Sequence, residues 1–477
     1  MANEVPFCRN YLLIKPEQAS CFDLLTLLCS KTIENSDFFR TPVEAEAVRF
    51  RRRWIVFISL LVQKVLLWLK KPLAEVGDAV ELLLNYPAAN GGYLRLLFNL
   101  LTGRLVRPDR SSACFTSMIG YTDKRWNLDR SIINHEKYNA SLAMMASKLS
   151  YENESFVRNI VTHHWQLEFV EFYDFWNDFQ ELNTTYAMMF RDKNVNPNLI
   201  VVAFRGTEPF DADAWRTDVD LSWYEFSGVG KIHGGFMKAL GLQKSTGWPK
   251  ETPPSPAGKS FAYYTIRERL KTLINENGDA KFILTGHSLG GALAILFASV
   301  LTIHEEELLL QRLEGVYTFG QPRVGNEQFG EYMKGKMTSY DVKYFRFVYS
   351  NDMVPRLPYD DKTFTFKHFG PCLYFNSCYR GQVLEEEPNK NYFSVLYVVP
   401  KILNAVYELI RSFILPLRKG EEYKEDWVMK LFRVAAPVVP GLVNHFPVDY
   451  VNLTRLGKLP SSIHLQGQGP NQNLKHD

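Results

Sequence analysis

The sequence predicts an α/β fold around a largely parallel central sheet, and three observations predict it. Short apolar runs alternate with amphipathic stretches through residues 139–349, the pattern of strands joined by crossover helices and covered on both faces. One run, 199–204, is apolar throughout and rich in Ile and Val, as a strand buried on both faces requires. Another, 282–284, leads through Gly286-His287-Ser288-Leu289-Gly290 into an apolar stretch at 292–300. That is G-x-S-x-G between a strand and a helix, the context in which a serine is lifted clear of a sheet edge.

The elements before this turn follow in order. Residues 1–19 carry Glu4 and Glu17 and no basic stretch leading into an apolar one, so no signal or transit peptide is expected there. With six scattered cysteines, a cytosolic setting with reduced thiols follows. Residues 40–71 hold eight Lys/Arg against two acids, and residues 54–69 between them are apolar almost all round, with Trp54 and Trp68 near the ends. This reads as a membrane-associating helix with aromatic and basic anchors, short of a full span unless Arg53 and Lys70 snorkel. A second apolar region, 79–101, is split at Asn90-Gly91-Gly92, and the two are expected to lie as a hairpin in one leaflet. The whole chain has a net charge of only +3, which argues against a nucleic-acid binder.

Residues 139–149 have helical spacing (Leu142, Met145, Ala146, Leu149). Strands are expected at 167–173, 185–191 and 199–204, the last ending in Arg205-Gly206-Thr207. Residues 208–231 are polar and aromatic, His233-Gly234-Gly235-Phe236 opens a helix, and 261–274 is amphipathic. After the serine turn, 315–319 and 343–349 read as strands, and 364–369 and 372–375 as outer ones. Residues 392–417 are again apolar, and 461–477 are polar. The expected division is an N-terminal region over 1–130, an α/β-hydrolase domain over 131–460 with an apolar insertion at about 381–440, and a polar tail over 461–477.

A serine hydroxyl attacks well only when a base takes its proton and an acid orients that base. In the α/β-hydrolase layout the order is serine, acid, histidine. Asp352 directly follows the strand 343–349, where an orienting acid belongs, whereas Asp360 and Asp361 lie further out, past Pro355 and Pro358. Four histidines follow Asp352. His464 and His476 sit in the polar tail. His368 falls in an alternating, strand-like stretch, which fixes a side chain to one face. His445 lies in a loop between Pro440 and Pro447 and is the expected base. The oxyanion needs two converging N–H donors. Leu289 supplies one, and Thr207, after an earlier strand, is placed for the second. His233 and His287 are read as structural. No C-x-x-C pair and no G-x-G-x-x-G occurs, and no metal or cofactor is expected.

Phe204-Arg205-Gly206-Thr207, Ile232-His233-Gly234-Gly235-Phe236, Thr285 to Gly291, Phe319-Gly320-Gln321-Pro322-Arg323-Val324-Gly325 and Asn351 to Pro355 together resemble the motifs of the class 3 lipases over about residues 130–450. The basic and apolar N-terminus, Lys367 to Asn376 and the apolar insertion before His445 are closer still to plant oil-body lipases. The resemblance agrees on His445, ahead of a His-x-x-x-Asp-Tyr stretch ending in Tyr450. It implies triacylglycerol as substrate, residence on the lipid-droplet (oil-body) or membrane surface from the cytosolic side, and a lid over 208–231. The alternatives are a phospholipase or galactolipase acting on membrane lipids, and a non-catalytic lipase-like scaffold.

Overall fold

The structure, a computed structural model, describes residues 7–8, 10–29, 38–41, 50–129, 137–195, 197–251, 258–358, 366–390, 392 and 394–458. Its centre is an eight-stranded mixed sheet. In chain order the strands are β1 (Glu168–Asn177), β2 (Leu182–Asp192), β3 (Leu199–Phe204), β4 (Lys281–His287), β5 (Leu313–Phe319), β6 (Lys343–Tyr349), β7 (Cys372–Phe375) and β8 (Gly381–Leu384). They lie side by side as β8-β7-β6-β5-β4-β3-β2-β1. The middle five, β3 to β7, run parallel, and antiparallel pairs close both edges.

Burial of β3 on both faces follows from its sequence. Ile200, Val202 and Phe204 join one apolar cluster, while Leu199, Val201 and Ala203 join another on the opposite face, the period-two alternation of a pleated strand. The first cluster includes Ala292, Ile295 and Leu296 of the helix that leaves the serine turn, Leu289–Ile303. The second includes Leu142, Met145 and Leu149 of the helix Tyr138–Leu149. The sheet is therefore a filled layer between helices, and its parallel strands end at the serine turn and at the loop bearing Asp352.

A second, smaller sheet was foreseen from the sequence only at residues 366–367. Asn10–Ile14 pairs antiparallel with Trp223–Phe226 and with Phe39–Arg40, and Gly230–His233, Gly325–Asn326 and Phe366–Lys367 complete it. Of the expected strand at 364–369, residues 366–367 pair as a strand, 368–369 do not, and 364–365 lie outside the described residues. His368 lies just beyond that pair.

The N-terminal apolar region also departs from expectation. In place of a hairpin of 54–69 against 79–101, one helix of 40 residues, α1 (Phe50–Ala89), continues through Pro72 and Pro87. The chain turns only at Asn90–Gly92, where Gly91 and Gly92 have positive φ, and continues as α2 (Tyr93–Leu101). α1 is held by tertiary packing on both sides of Pro72, its Asn85 donating to the Thr116 carbonyl at 2.8 Å. It lies along α3 (Ala212–Val219). Val56, Ser59, Leu60 and Gln63 face inward at the i, i+3, i+4, i+7 spacing of one helical stripe. Ser59 Oγ donates to the Val219 carbonyl at 2.7 Å and Gln63 Nε2 donates to Ser59 Oγ at 3.1 Å. The apolar Ile58, Leu61, Val65 and Trp68 face outward, Trp68 80% exposed. No helix among the described residues is long and apolar enough to cross a membrane.

Candidate active site

The serine turn is built by sterics. A Cβ on Gly286 would sit 2.1–2.5 Å from the backbone of Gly290 and Gly291, and one on Gly290 would sit 2.2 Å from the Phe204 carbonyl. Neither distance is attainable for a real side chain, so both positions require glycine. The turn forces Ser288 into φ 58°, ψ −130°, a conformation that non-glycine residues hold only where the surroundings over-determine it. Its N–H is held by the Phe319 carbonyl at 2.9 Å.

Ser288, His445 and Asp352 come together although 157 residues separate the first two and 93 the last two. Ser288 Oγ lies 2.7 Å from His445 Nε2, and His445 Nδ1 lies 2.8 Å from Asp352 Oδ2. Serine to imidazole to carboxylate is one unbroken relay. Asp352 is fully buried and held on every side. Its Oδ1 accepts from the Val354 N–H at 2.9 Å and its Oδ2 from the Tyr450 hydroxyl at 2.5 Å. Arg356 donates to the Asp352 carbonyl and, at 3.0 Å, to the Ser350 carbonyl. Burial, with the Asp352 charge beside it, pushes the Tyr450 hydroxyl well up, so it stays a donor. Gly320 explains the glycine of Phe319-Gly320-Gln321. It has φ +60°, and a Cβ there would crowd Asp352 Oδ2 and the His445 ring at 3.0 Å.

His445 is also held through its backbone. Its carbonyl accepts from His287 Nε2 at 2.7 Å, and Tyr151 OH lies 2.9 Å from His287 Nδ1. Burial first, then neighbouring His445, lowers the His287 imidazole well below its usual range. The ring is therefore neutral, donating at Nε2 and accepting the Tyr151 hydroxyl at Nδ1. His368 is elsewhere, bonded through Nε2 to the Pro355 carbonyl at 2.6 Å and likewise kept neutral by burial. His233 caps its own helix through Nδ1 and stacks on Phe236. Asp360, Asp361, His464 and His476 lie outside the described residues.

Leu289 opens α4 (Leu289–Ile303), so its N–H is one of the unpaired donors at a helix start. Thr207 follows β3, the strand beside the one that carries the serine. At the intervening Gly206 a Cβ would lie 2.0 Å from the Tyr151 hydroxyl and 2.5 Å from the His287 carbonyl. Thr207 Oγ1 donates to Asp218 Oδ2 at 2.8 Å. The other oxygen of Asp218 is buried with no hydrogen-bond partner, and burial raises this carboxyl to about 7 against the pull of Thr207 and His445. Ser288 itself is only 5% exposed. The segment following Thr207 carries α3, which is clamped to α1. Lys70 Nζ pairs with Asp213 at 2.7 Å, and the Phe210 side chain fills the place where Gly77 has no Cβ.

Tyr450, Asp218, Tyr151 and Gly320 were not assigned roles from the sequence. Tyr450 belongs to the quoted His-x-x-x-Asp-Tyr stretch and Gly320 to Phe319-Gly320-Gln321, so a signal existed for both. Nothing in the sequence marks Asp218 or Tyr151.

Among known proteins, the family model described as Lipase (class 3) matches residues 201–362. Triacylglycerol lipase OBL1 of Nicotiana tabacum is 44% identical over 483 residues, spanning 86% of this chain and 84% of that one. Triacylglycerol lipase OBL1 of Arabidopsis thaliana is 40% identical over 493 residues, spanning 94% and 95%. Of solved structures, a Rhizomucor miehei lipase propeptide complex aligns over 56% of this chain and 77% of its own at 24% identity, with a TM-score of 0.40. Relatives this similar over most of both chains, together with the family match across the serine and acid strands, establish that the chain belongs to the class 3 lipase family.

Proposed function

We propose that this protein hydrolyses the ester bonds of triacylglycerol at the surface of lipid droplets, with Ser288 as nucleophile, His445 as base and Asp352 as the orienting acid. The observation that carries the reading is the continuous hydrogen-bonded relay at 2.7 and 2.8 Å. As Oγ attacks the acyl carbonyl, His445 Nε2 takes its proton, and Asp352 stabilises the imidazolium that forms. The oxyanion is received by the Leu289 N–H and by Thr207, whose hydroxyl is set by Asp218. Collapse expels the diacylglycerol alkoxide, protonated by His445. Water, deprotonated by the same imidazole, then cleaves the acyl-enzyme. Two relatives named triacylglycerol lipase, alike over most of both chains, support the substrate.

Placement on the droplet is supported by the outward apolar faces of α1 and α2, with Trp68, Leu94 and Leu101 exposed. A droplet is a phospholipid monolayer over an apolar core, which a helix lying in its surface suits. The same reading divides the chain into an N-terminal region over 1–130, a catalytic unit over 131–460 with an insertion at about 381–440, and a tail over 461–477. The N-terminal region docks on the catalytic unit through residues 10–14 and α1. The test is fatty-acid release from emulsified triacylglycerol, phospholipid and galactolipid by wild type and Ser288→Ala. A preference for phospholipid or galactolipid would overturn the substrate. Retained turnover in folded Ser288→Ala would overturn the mechanism.

A further inference from the structure

The helices of the insertion are built inside out. In α5 (Val398–Lys419) the buried residues are Lys401, Ala405, Glu408, Arg411 and Ser412. From 398 to 417 every exposed residue is apolar or Tyr407. Leu403 is 64% exposed and Leu417 88%. In α6 (Trp427–Ala435) Arg433 is fully buried while Leu431, 60% exposed, and Val434 face out.

The inward charges at Glu408, Arg411 and Arg433 are paired. Arg433 pairs with Glu408 at 2.9 Å, Glu425 at 2.9 Å and Asp449 at 2.7 Å, and Arg411 reaches Asp449 at 3.3 Å. Because removing one partner would strand the others in the interior, neither helix can turn its apolar face inward. The outward face is therefore a fixed feature of the fold.

This network also borders the catalytic relay. Asp449 precedes Tyr450, the hydroxyl donor to Asp352. Asn444, next to His445, donates to Glu408 at 2.6 Å, and Phe432 of α6 stacks on Phe446 at 4.8 Å.

We propose that the outer face of α5 and α6 docks on a phospholipid-coated triacylglycerol surface, as a second lipid contact separate from α1 and α2 and braced through Asn444 and Phe446 to the segment that carries His445. This rests on the lipase reading for the identity of the surface. Lipid is favoured over a protein occupant because the α5 face offers only Tyr407 for hydrogen bonding over a helix roughly 33 Å long. Protein interfaces carry about one hydrogen bond per 100–200 Å², whereas hydrocarbon asks for none. At the end of α5 the exposed Arg418 and Lys419 are followed in sequence by Glu421 and Glu422, and Lys430 lies over the Phe413 ring at 5.0 Å.

The test uses the full chain carrying Leu403→Glu, Ile410→Glu and Leu417→Glu together, and separately Leu431→Glu with Val434→Glu. The probe is triolein droplets coated with phosphatidylcholine and phosphatidylserine. Flotation with the droplets reads binding without catalysis, and hydrolysis of a water-soluble butyrate ester reads the relay without an interface. Both variants are expected to keep soluble-ester turnover within about twofold of wild type while droplet binding and triolein hydrolysis fall by roughly tenfold or more. Unchanged flotation overturns the proposal, and so does a wild-type dimer, seen by light scattering, that the variants convert to monomer, since a second copy would then be the occupant. Loss of soluble-ester turnover together with a lowered melting temperature in both variants overturns it too, because the face would then be structural. Were Ser288→Ala to keep its soluble-ester activity, the lipase mechanism would fail while the flotation result still stood on its own.

Discussion

Replacing Asp218 by asparagine changes one hydrogen-bonding atom and removes one titration. In the folded protein Oδ2 accepts from Thr207 and Oδ1 is buried without a partner, an arrangement that suits a protonated carboxyl. Burial moves its pKa from 3.8 to about 7. Each unit corresponds to about 1.4 kcal/mol, so ionising the folded carboxyl costs on the order of 4 kcal/mol. The sign follows from proton counting. Between the unfolded and folded pKa values the folded state keeps a proton that the unfolded chain has lost, so stability falls as pH rises. The contribution is whole below about pH 4 and lost by about pH 7. His445 and Asp211 face this carboxyl, and both remain in the variant. Asparagine can still accept from Thr207, so Asp218→Asn should lack this slope. Relative to wild type it should gain about 2–4 kcal/mol on going from about pH 5 to about pH 8. Urea melts of both proteins at the two pH values measure this. Parallel pH dependence in the two proteins would show that Asp218 is ionised throughout and refute the argument.

Other perturbations bear on the same site. Ser288→Ala should lose on the order of 10⁶ in turnover with an unchanged melt; a smaller loss in folded protein would point to another nucleophile. His445→Ala should lose activity about as severely, whereas His368→Ala should lose stability through its buried bond to Pro355 and keep its turnover per folded molecule; reversed outcomes would move the base to His368. Tyr450→Phe leaves one oxygen of Asp352 without its 2.5 Å donor and should cost about 1.5–3 kcal/mol, the range for a hydrogen bond to a charged group. Comparing its unfolding free energy and kcat with wild type checks this, and unchanged values in both would argue that the bond is idle. Trp68→Glu with Leu101→Glu, both outward, should turn a droplet-bound fluorescent fusion diffuse without altering soluble-ester hydrolysis. This pair is a cleaner test than deleting 40–101, because α1 also packs on α3.

The hydrogen-bonded grouping of Ser288, His445 and Asp352 was legible because each member sits where local pattern has a mechanical cause. Gly286 and Gly290 mark a turn that no side chain would permit, Asp352 follows a strand, and His445 stands between two prolines. The parallel strands were legible for the same reason, since burial on both faces leaves an unbroken apolar run such as 199–204. What escaped depends on partners distant in sequence. Residues 10–14 become a strand only by pairing with 223–226, and nothing local marks that register. The helix was read as 54–69 from its apolar run, yet it extends to Ala89, held along α3 and by bonds of Glu81 and Asn85 with residues 116–118. Asp218 matters only because the chain folds its carboxyl back onto Thr207.

The contact between Gly77 and Phe210 has a consequence for how this enzyme can vary. A single methyl at position 77 would lie 2.7 Å from the Phe210 Cβ, and Phe210 is three residues from Thr207. The fit between α1 and the segment after Thr207 thus has a tolerance smaller than one carbon atom. A change that thickens α1 at this point must displace Phe210. With α1 on lipid as proposed, adhesion and turnover would share one mechanical part, and variation in the first sixth of the chain would be coupled to the serine two hundred residues later.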